Sequence, residues 1–203
     1  MKNHRILRQS ICTILSGALL LMTGCTDKVP ESSSGSSADS KTVFEVDTEK
    51  MPEIVFLKYT QYNKYASGNE GYAVQFIDKD SNVYYMQDIS EDSVSYYSIT
   101  QIYEDFKSGK LDDKKLEKSC DKSELDDNFS KLCEVCSDKD YSIVYPDSMP
   151  DVEYDSVAWY GCYYDKDGEF RIITLHKSEG VPLDSNNETA NEIYSWFNGI
   201  LTN

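Results

Sequence analysis

Two segments of this chain share a pattern that restricts the fold more than any other feature. In residues 72–86 and again in residues 157–175, two runs of β-branched and aromatic residues are separated by a short acidic turn. The turns, at residues 78–82 and 165–169, both begin with Asp-Lys-Asp. Strands joined by so short a connection pair as antiparallel hairpins, because parallel strands need a much longer crossover. The sequence therefore predicts a mainly antiparallel sheet.

Helical patterns lie outside these two segments. Apolar residues recur at helical spacing in residues 93–106, 121–137 and 187–201. Either Ser93 or Ser95 is expected to cap the first helix. A separate apolar run at residues 53–60 predicts a fifth strand. Strands grouped apart from helices indicate the α+β class. We therefore expect a mainly antiparallel sheet of about five strands with about three helices packed on one face.

Each predicted helix needs a surface against which to bury its apolar stripe. The residues predicted to form that layer are Ile102, Phe106, Leu125, Phe129, Leu132, Ile193 and Phe197. The opposite face of the sheet is expected to keep part of the tyrosine content near solvent, and it is the predicted binding surface. The folded part is predicted to be a single domain over residues 44–203, which is long enough to bury a substantial core.

The N-terminal segment has the features of a signal peptide. Three basic residues precede an apolar run at residues 11–22, and no acidic residue occurs before Asp27. This run suits the hydrophobic part of a signal peptide and is too short to span a bilayer comfortably as a helix. Residues 1–24 are therefore predicted to be removed from the mature protein.

The apolar run ends in Leu-Met-Thr-Gly-Cys at residues 21–25. This sequence resembles the lipobox of bacterial lipoproteins, which has an aliphatic position, two small residues and a cysteine. The resemblance covers only these residues. It implies cleavage between Gly24 and Cys25 and transfer of a diacylglyceryl group to the Cys25 sulfur. Two acyl chains anchor a protein stably, so the chain is expected at the cell membrane, lipid-anchored on the extracytoplasmic face.

Residues 25–43 comprise this cysteine and a serine-rich segment with few large apolar residues. Such a composition cannot bury enough apolar surface to fold, and it behaves as a flexible linker. Seventeen residues of this kind span roughly 23 Å root-mean-square. We therefore predict a disordered tether that keeps the domain close to the membrane.

Charge limits the partners of the mature chain. Three of the 20 basic residues and none of the 36 acidic residues lie in residues 1–24, so the formal charge from Cys25 onward is −19. Nucleic acids and anionic lipid surfaces are bound through clustered lysine and arginine, so neither is expected as a partner. A solvated acidic surface is the simpler interpretation of this charge, and attraction of cationic ligands is the functional one.

Four cysteines follow the lipobox: Cys120, Cys133, Cys136 and Cys162. An extracytoplasmic location permits disulfides, and the Cys-x-x-Cys at residues 133–136 allows a metal or redox interpretation. This pair lies near the C-terminal end of the predicted second helix, whereas a redox pair normally opens a helix. Both residues also fall on the apolar stripe of that helix. We favour buried thiols that pack in the core, and we predict no metal site.

The sequence shows none of the common catalytic motifs. His176 is the one histidine of the mature chain, and no Gly-x-Ser-x-Gly, His-Glu-x-x-His or phosphate-loop motif accompanies it. No catalytic residue or cofactor is therefore assigned. The leading prediction is a non-enzymatic binding or interaction module of the cell envelope, whose partner is an envelope protein or a small ligand. The alternative is a secreted hydrolase that uses a pair of carboxylates.

Overall fold

The computed structural model describes residues 45–63, 66, 68, 70–90, 97–148 and 154–202. The predicted signal peptide at residues 1–24, the predicted lipidation site Cys25 and the predicted tether at residues 25–43 lie outside these residues. The described residues form seven strands and three helices. In chain order these are β1 (Ile54–Tyr62), β2 (Glu70–Asp78), β3 (Asn82–Ser90), α1 (Ile99–Lys107), β4 (Lys115–Ser119), α2 (Lys122–Cys136), β5 (Ser156–Tyr164), β6 (Phe170–Glu179), β7 (Pro182–Leu183) and α3 (Glu188–Thr202).

The seven strands form one sheet in the order β4-β3-β2-β1-β5-β6-β7. Every neighbouring pair in this order is antiparallel. The predicted α+β class and the antiparallel pairing are therefore confirmed. The central strand β1 is paired along most of its length on both sides, with β2 and with β5.

The predicted number of about five strands is too low, because the sheet has a short additional strand at each edge. β4 has the polar sequence Lys-Leu-Glu-Lys-Ser and is mostly exposed, and β7 has only two residues. Neither strand carries the alternating apolar pattern by which strands are recognised in a sequence. Lysine on an exposed edge strand also discourages pairing with other chains.

Both predicted hairpins form, and their turns share one hydrogen-bonding pattern. The first aspartate of each turn is buried, and its Oδ1 accepts hydrogen bonds from the N–H groups two and four residues later. These distances are 2.9 and 2.8 Å at Asp78, and 3.1 and 2.9 Å at Asp165. The fourth residue of each turn has a positive φ, 69° at Ser81 and 82° at Gly168. The aspartate side chain thus fixes a turn that the backbone alone would leave less defined.

The chain enters β1 between the two turns. In the second turn the Lys166 N–H donates to the carbonyl oxygen of Glu45 at 2.8 Å. In the first turn the Lys79 N–H donates to the carbonyl oxygen of Glu53 at 3.2 Å. The entry of the chain and both hairpin turns therefore lie at the same end of the sheet.

The three helices correspond to the three predicted segments. α1 begins at Ile99 and is capped by Ser98, whose Oγ accepts a hydrogen bond from a backbone N–H of the first turn. The predicted cap at Ser93 or Ser95 is therefore wrong, because a third serine, Ser98, caps the helix instead. Ser93 and Ser95 themselves lie outside the described residues. α2 is capped by Asp121, whose carboxylate accepts two backbone N–H groups. Across the part of the chain that the structure describes, no helix is both long and apolar enough to cross a membrane.

α2 and α3 pack on one face of the sheet. Phe56 of β1 meets two aromatic rings of α3 there, with centroid distances of 5.4 Å to Trp196 and 5.6 Å to Phe197. Leu132 of α2 lies over Gly161 of β5, where an added Cβ would come within 2.3 Å of the leucine side chain. Glycine at this position therefore lets α2 approach the sheet closely.

α1 packs on the opposite face. Its Phe106 ring meets Phe76 of β2 at a centroid distance of 5.0 Å. Cys162, which follows Gly161 in β5, belongs to the same apolar cluster as these two rings. Because successive side chains of a strand point to opposite faces, these two neighbours in β5 place α1 and α2 on different faces.

The predicted packing of all three helices on one face is therefore wrong. The physical reason lies in β1, where the Ile-Val-Phe-Leu run at residues 54–57 is fully buried. A strand covered on both faces is apolar without interruption, whereas a strand with one solvent face alternates. Of the residues predicted to form one layer, those on the α1 face are Ile102 and Phe106, and those on the other face are Leu125, Phe129, Leu132, Ile193 and Phe197.

Candidate functional site

A cleft of about 700 Å³ opens between α2 and the segment that leads into β1. We call it the α2 cleft. Residues 48–51 supply one wall, and α2 with its C-terminal cap supplies the other. The lining comprises three apolar or thiol side chains, three acidic side chains and three hydroxyl side chains. This size suits a small ligand or a single large side chain of a partner protein.

The floor of the α2 cleft is apolar. Phe129 and Cys133 lie one helical turn apart on α2, so their side chains are neighbours, and both are buried. Met51 contributes from the opposite wall and is half-buried against the same core. The core that anchors α2 thus continues into the floor of the cleft.

The rim of the α2 cleft is acidic. Glu49, Asp126 and Glu134 line it, and all three are exposed. Asp126 forms an ion pair with Lys122 one turn earlier in α2. None of the lining residues is basic. The neighbouring Lys50 places its ammonium group 4.0 Å from the centroid of the Tyr164 ring instead.

The Cys133 thiol at the floor is a neutral group. Burial is the main cause that raises its pKa to about 11, and the carboxylates of Asp47 and Glu134 contribute to the same increase. A thiol with so high a pKa is a weak nucleophile at neutral pH. Cys133 therefore contributes an apolar, unreactive surface to the cleft.

The prediction that Cys133 and Cys136 are buried core thiols is confirmed. Both are buried in one apolar cluster with α3, and Cys162 is buried on the opposite face of the sheet. These three cysteines and the half-buried Cys120 are all free thiols. Burial raises the pKa of Cys136 and of Cys162 strongly. Within the described residues, no group of three or more histidine, cysteine or acidic side chains could hold a metal ion.

Replacing Cys133 and Cys136 together with alanine is expected to lower the free energy of unfolding by about 1–3 kcal/mol, because small buried groups are removed from a packed core. Urea unfolding followed by circular dichroism measures the change. The half-buried Cys120→Ala is the control, with a smaller expected loss. Unchanged stability of the double variant would contradict the packing role, and stoichiometric zinc in the wild-type protein would assign the pair to a metal site.

His176 is buried among aromatic side chains. Its ring stacks on Tyr194 at a centroid distance of 3.9 Å and meets the edge of Trp159 at 5.1 Å. Nδ1 lies 2.9 Å from Oδ1 of Asp184, and the contact becomes an ion pair when the ring is protonated. Burial lowers the pKa of His176, and the Asp184 carboxylate offsets part of that effect. These surroundings are those of a packed core histidine.

The buried acids of the described residues are Asp78 and Asp165, one in each hairpin turn. Burial alone would raise the pKa of Asp165, but the Arg171 guanidinium and two backbone N–H groups outweigh it and lower the pKa. Arg171 Nε lies 2.8 Å from the Asp165 carboxylate. Both aspartates thus stabilise their turns, and neither lines the α2 cleft.

The predicted tyrosine-rich binding face is not a solvent-exposed face of the sheet. It is the face on which α1 packs, so Tyr72, Tyr103 and Tyr164 are buried there. The remaining tyrosines of this cluster are partly buried against it: Tyr59, Tyr84, Tyr97 and Tyr160. The helix that covers this face removes the reason for proposing it as the binding surface.

The α2 cleft could not be predicted from a local pattern in the sequence. Its walls lie more than 70 positions apart in the chain, and the segment at residues 48–51 precedes the first recognisable strand. The one signal was the apolar stripe of α2, which predicts a buried helix face but no cavity beside it. Cys25, the one site residue assigned from the sequence, lies outside the described residues.

Comparison of this chain with protein-family models, with curated proteins and with solved structures gave no significant match.

Proposed function

We propose that this protein is a lipid-anchored, extracytoplasmic binding module of the cell envelope, and that the α2 cleft is its ligand site. The observation that carries the proposal is the combination of an apolar floor with a rim that has three acidic and no basic side chains. The proposed ligand is a group with a positive charge next to an apolar body. A small amine has this chemistry, and so has a lysine or arginine side chain of an envelope protein.

The electrostatics of the whole chain support a cationic ligand. A formal charge of −19 from Cys25 onward raises the local concentration of cations near the surface. At the rim, Glu49 and Glu134 have no basic neighbour among the lining residues. The apolar body of a ligand would cover Met51 and Phe129, and each Å² of apolar surface removed from water contributes about 25 cal/mol.

The anchor and the tether give the module its place. A diacylglyceryl group on Cys25 would hold the chain on the membrane, and the serine-rich segment would let the domain reorient there. These two segments and the ligand site would be sufficient for a protein that binds a ligand close to the membrane without catalysing a reaction.

A secreted hydrolase with two catalytic carboxylates remains the alternative function. Such an enzyme needs two carboxyl groups about 5–10 Å apart across a cleft, one of them kept protonated by its surroundings. The acids of the α2 cleft are all exposed, and Asp126 is already paired with Lys122. We therefore favour ligand binding over hydrolysis.

The proposal is tested with phenethylamine and its uncharged counterpart 2-phenylethanol as probes. The full-length protein in a neutral detergent is titrated with each, and the methyl resonance of Met51 is followed by NMR. We expect saturable shifts with the amine and at least about tenfold weaker binding of the alcohol, which corresponds to about 1.4 kcal/mol. The double variant Glu49→Gln and Glu134→Gln should weaken binding of the amine by a similar factor and leave binding of the alcohol unchanged.

Glu117→Gln is the matched control, because Glu117 is an exposed acid of β4 that does not line the α2 cleft. Equal binding of the amine and the alcohol would refute the role of charge. A Met51 resonance that neither probe shifts would refute the α2 cleft as the binding site.

A further inference from the structure

Two large apolar residues that are neighbours in the chain are exposed beside β7. Val144 and Tyr145 are each 54% exposed, and among the described residues only Leu116 is a more exposed large hydrophobic residue. Single exposed apolar residues are common on protein surfaces, whereas contiguous ones mark interaction sites more often.

The backbone of the segment that carries these two residues is held by hydrogen bonds. Ile143 forms an antiparallel bridge with Ser185, and the Val144 N–H donates to the Asp184 carbonyl oxygen at 2.9 Å. Two residues before Val144, the Ser142 carbonyl oxygen accepts a hydrogen bond from the backbone N–H of Asn186 at 3.0 Å. Residues 142–144 thus pair with residues 184–186, directly after β7, and these bonds fix the backbone next to both exposed residues.

Val144 and Tyr145 form part of a groove of about 570 Å³. We call it the β7 groove. Pro146, Val181 and Pro182 complete its apolar lining. Two prolines and residues held by the sheet lose little conformational freedom on binding, which lowers the entropic cost of association.

The polar side of the β7 groove carries one charge, that of Asp184, whose side chain is 66% exposed. The nearest titratable group on the adjacent strand is His176, whose lowered pKa keeps it neutral at neutral pH. Asp184 thus adds a negative charge to the groove lining, and His176 adds no positive one. Lys177, the basic residue that interacts with Tyr145, forms an ion pair with Glu179.

We propose that the β7 groove binds an extended segment of a partner protein that presents a large apolar side chain beside a lysine or arginine. The apolar side chain would pack between Tyr145 and the two prolines, and the basic residue would meet Asp184. A second copy of this chain fits the groove less well, since both copies would carry a charge of −19 from Cys25 onward. The proposal does not depend on the α2 cleft, with which the β7 groove shares no lining residue.

The test uses a fluorescein-labelled peptide, acetyl-Lys-Leu-Lys-Phe-Lys-amide, and a control peptide with glutamate in place of every lysine. Fluorescence anisotropy measures binding of each peptide to the full-length protein in a neutral detergent, with empty micelles as the blank. We expect saturable binding of the lysine peptide and at least about tenfold weaker binding of the glutamate peptide. The double variant Val144→Ser and Tyr145→Ser should weaken binding of the lysine peptide at least tenfold.

Leu116→Ser is the matched control, since Leu116 is an exposed apolar residue of β4 at the opposite edge of the sheet. It should leave the affinity unchanged. Asp184→Asn should reduce the preference for the lysine peptide over the glutamate peptide.

Three outcomes would overturn the proposal. The first is the absence of saturable binding by the lysine peptide. The second is an equal loss of affinity in the Leu116→Ser control, which would indicate general adsorption to apolar residues. The third is a dimer in analytical ultracentrifugation that the Val144→Ser and Tyr145→Ser variant dissociates, which would assign the groove to contact between two copies.

Discussion

Cells that carry Cys25→Ser are expected to accumulate a precursor that is neither lipidated nor cleaved before residue 25. The lipobox resemblance implies that the acyl group is transferred to a sulfur atom, and serine offers only a poorly nucleophilic hydroxyl. Loss of two acyl chains removes about 0.8 kcal/mol of membrane affinity for every buried methylene. Metabolic labelling with a radioactive fatty acid measures the effect, and label should fall to background in the variant.

Cys120→Ser is the control for this experiment, because Cys120 is a half-buried thiol of the folded domain. Its label should equal that of the wild-type chain. Equal labelling of the Cys25→Ser variant and the wild type would show that Cys25 is not the lipidation site. The proposed anchor would then have to be abandoned.

Phe56→Ala is expected to lower the free energy of unfolding by about 3–5 kcal/mol, a large part of the stability of a typical domain. Phe56 is fully buried in the central strand, where it contacts Trp196 and Phe197 of α3. Its removal leaves a cavity at the point where α3 meets the sheet. Urea unfolding monitored by circular dichroism gives the change directly.

Tyr145→Ala provides the comparison, since an exposed side chain should change the free energy of unfolding by no more than about 0.5 kcal/mol. A loss below about 1 kcal/mol in Phe56→Ala would mean that α3 does not pack on β1 as described.

Both hairpins could be predicted because their information is local. In each turn one aspartate side chain accepts the backbone N–H groups of its own turn, so five consecutive residues specify the geometry. The start of α2 at Asp121 follows an equally local capping rule. The same rule placed the start of α1 too early, because serines at positions 93, 95 and 98 are all possible caps.

The predicted layer arrangement was wrong, because the arrangement depends on how many helices pack on each face of the sheet. The uninterrupted Ile-Val-Phe-Leu run at residues 54–57 is the signal that the central strand is covered on both sides. A helical stripe such as that of α1 shows that a helix is buried, but not on which face. Gly161 marks the close approach of α2 to the sheet, but its sequence context does not indicate that Leu132 lies above it.

The two edge strands and the α2 cleft depend on tertiary contacts alone. β4 has a polar sequence, and its strand conformation depends on its pairing with β3. Glu49 and Glu134 lie far apart in the chain and line one rim only because α2 packs beside the entry to β1. No motif of either segment indicates the other.

The entry of the chain between the two hairpin turns has a mechanical consequence. A chain held at Cys25 would transmit a pull on the domain first to residues 45–47, which are hydrogen-bonded to the second turn and to the end of β5, and then to the start of β1. β1 is the central strand of the sheet. The hydrogen bonds of an antiparallel ladder lie perpendicular to the strands, so a pull along β1 loads the ladders with β2 and β5 together, in shear. Attachment to an edge strand would let the same force open one ladder bond by bond. The proposed anchor would therefore load the sheet at its central strand and not at an edge.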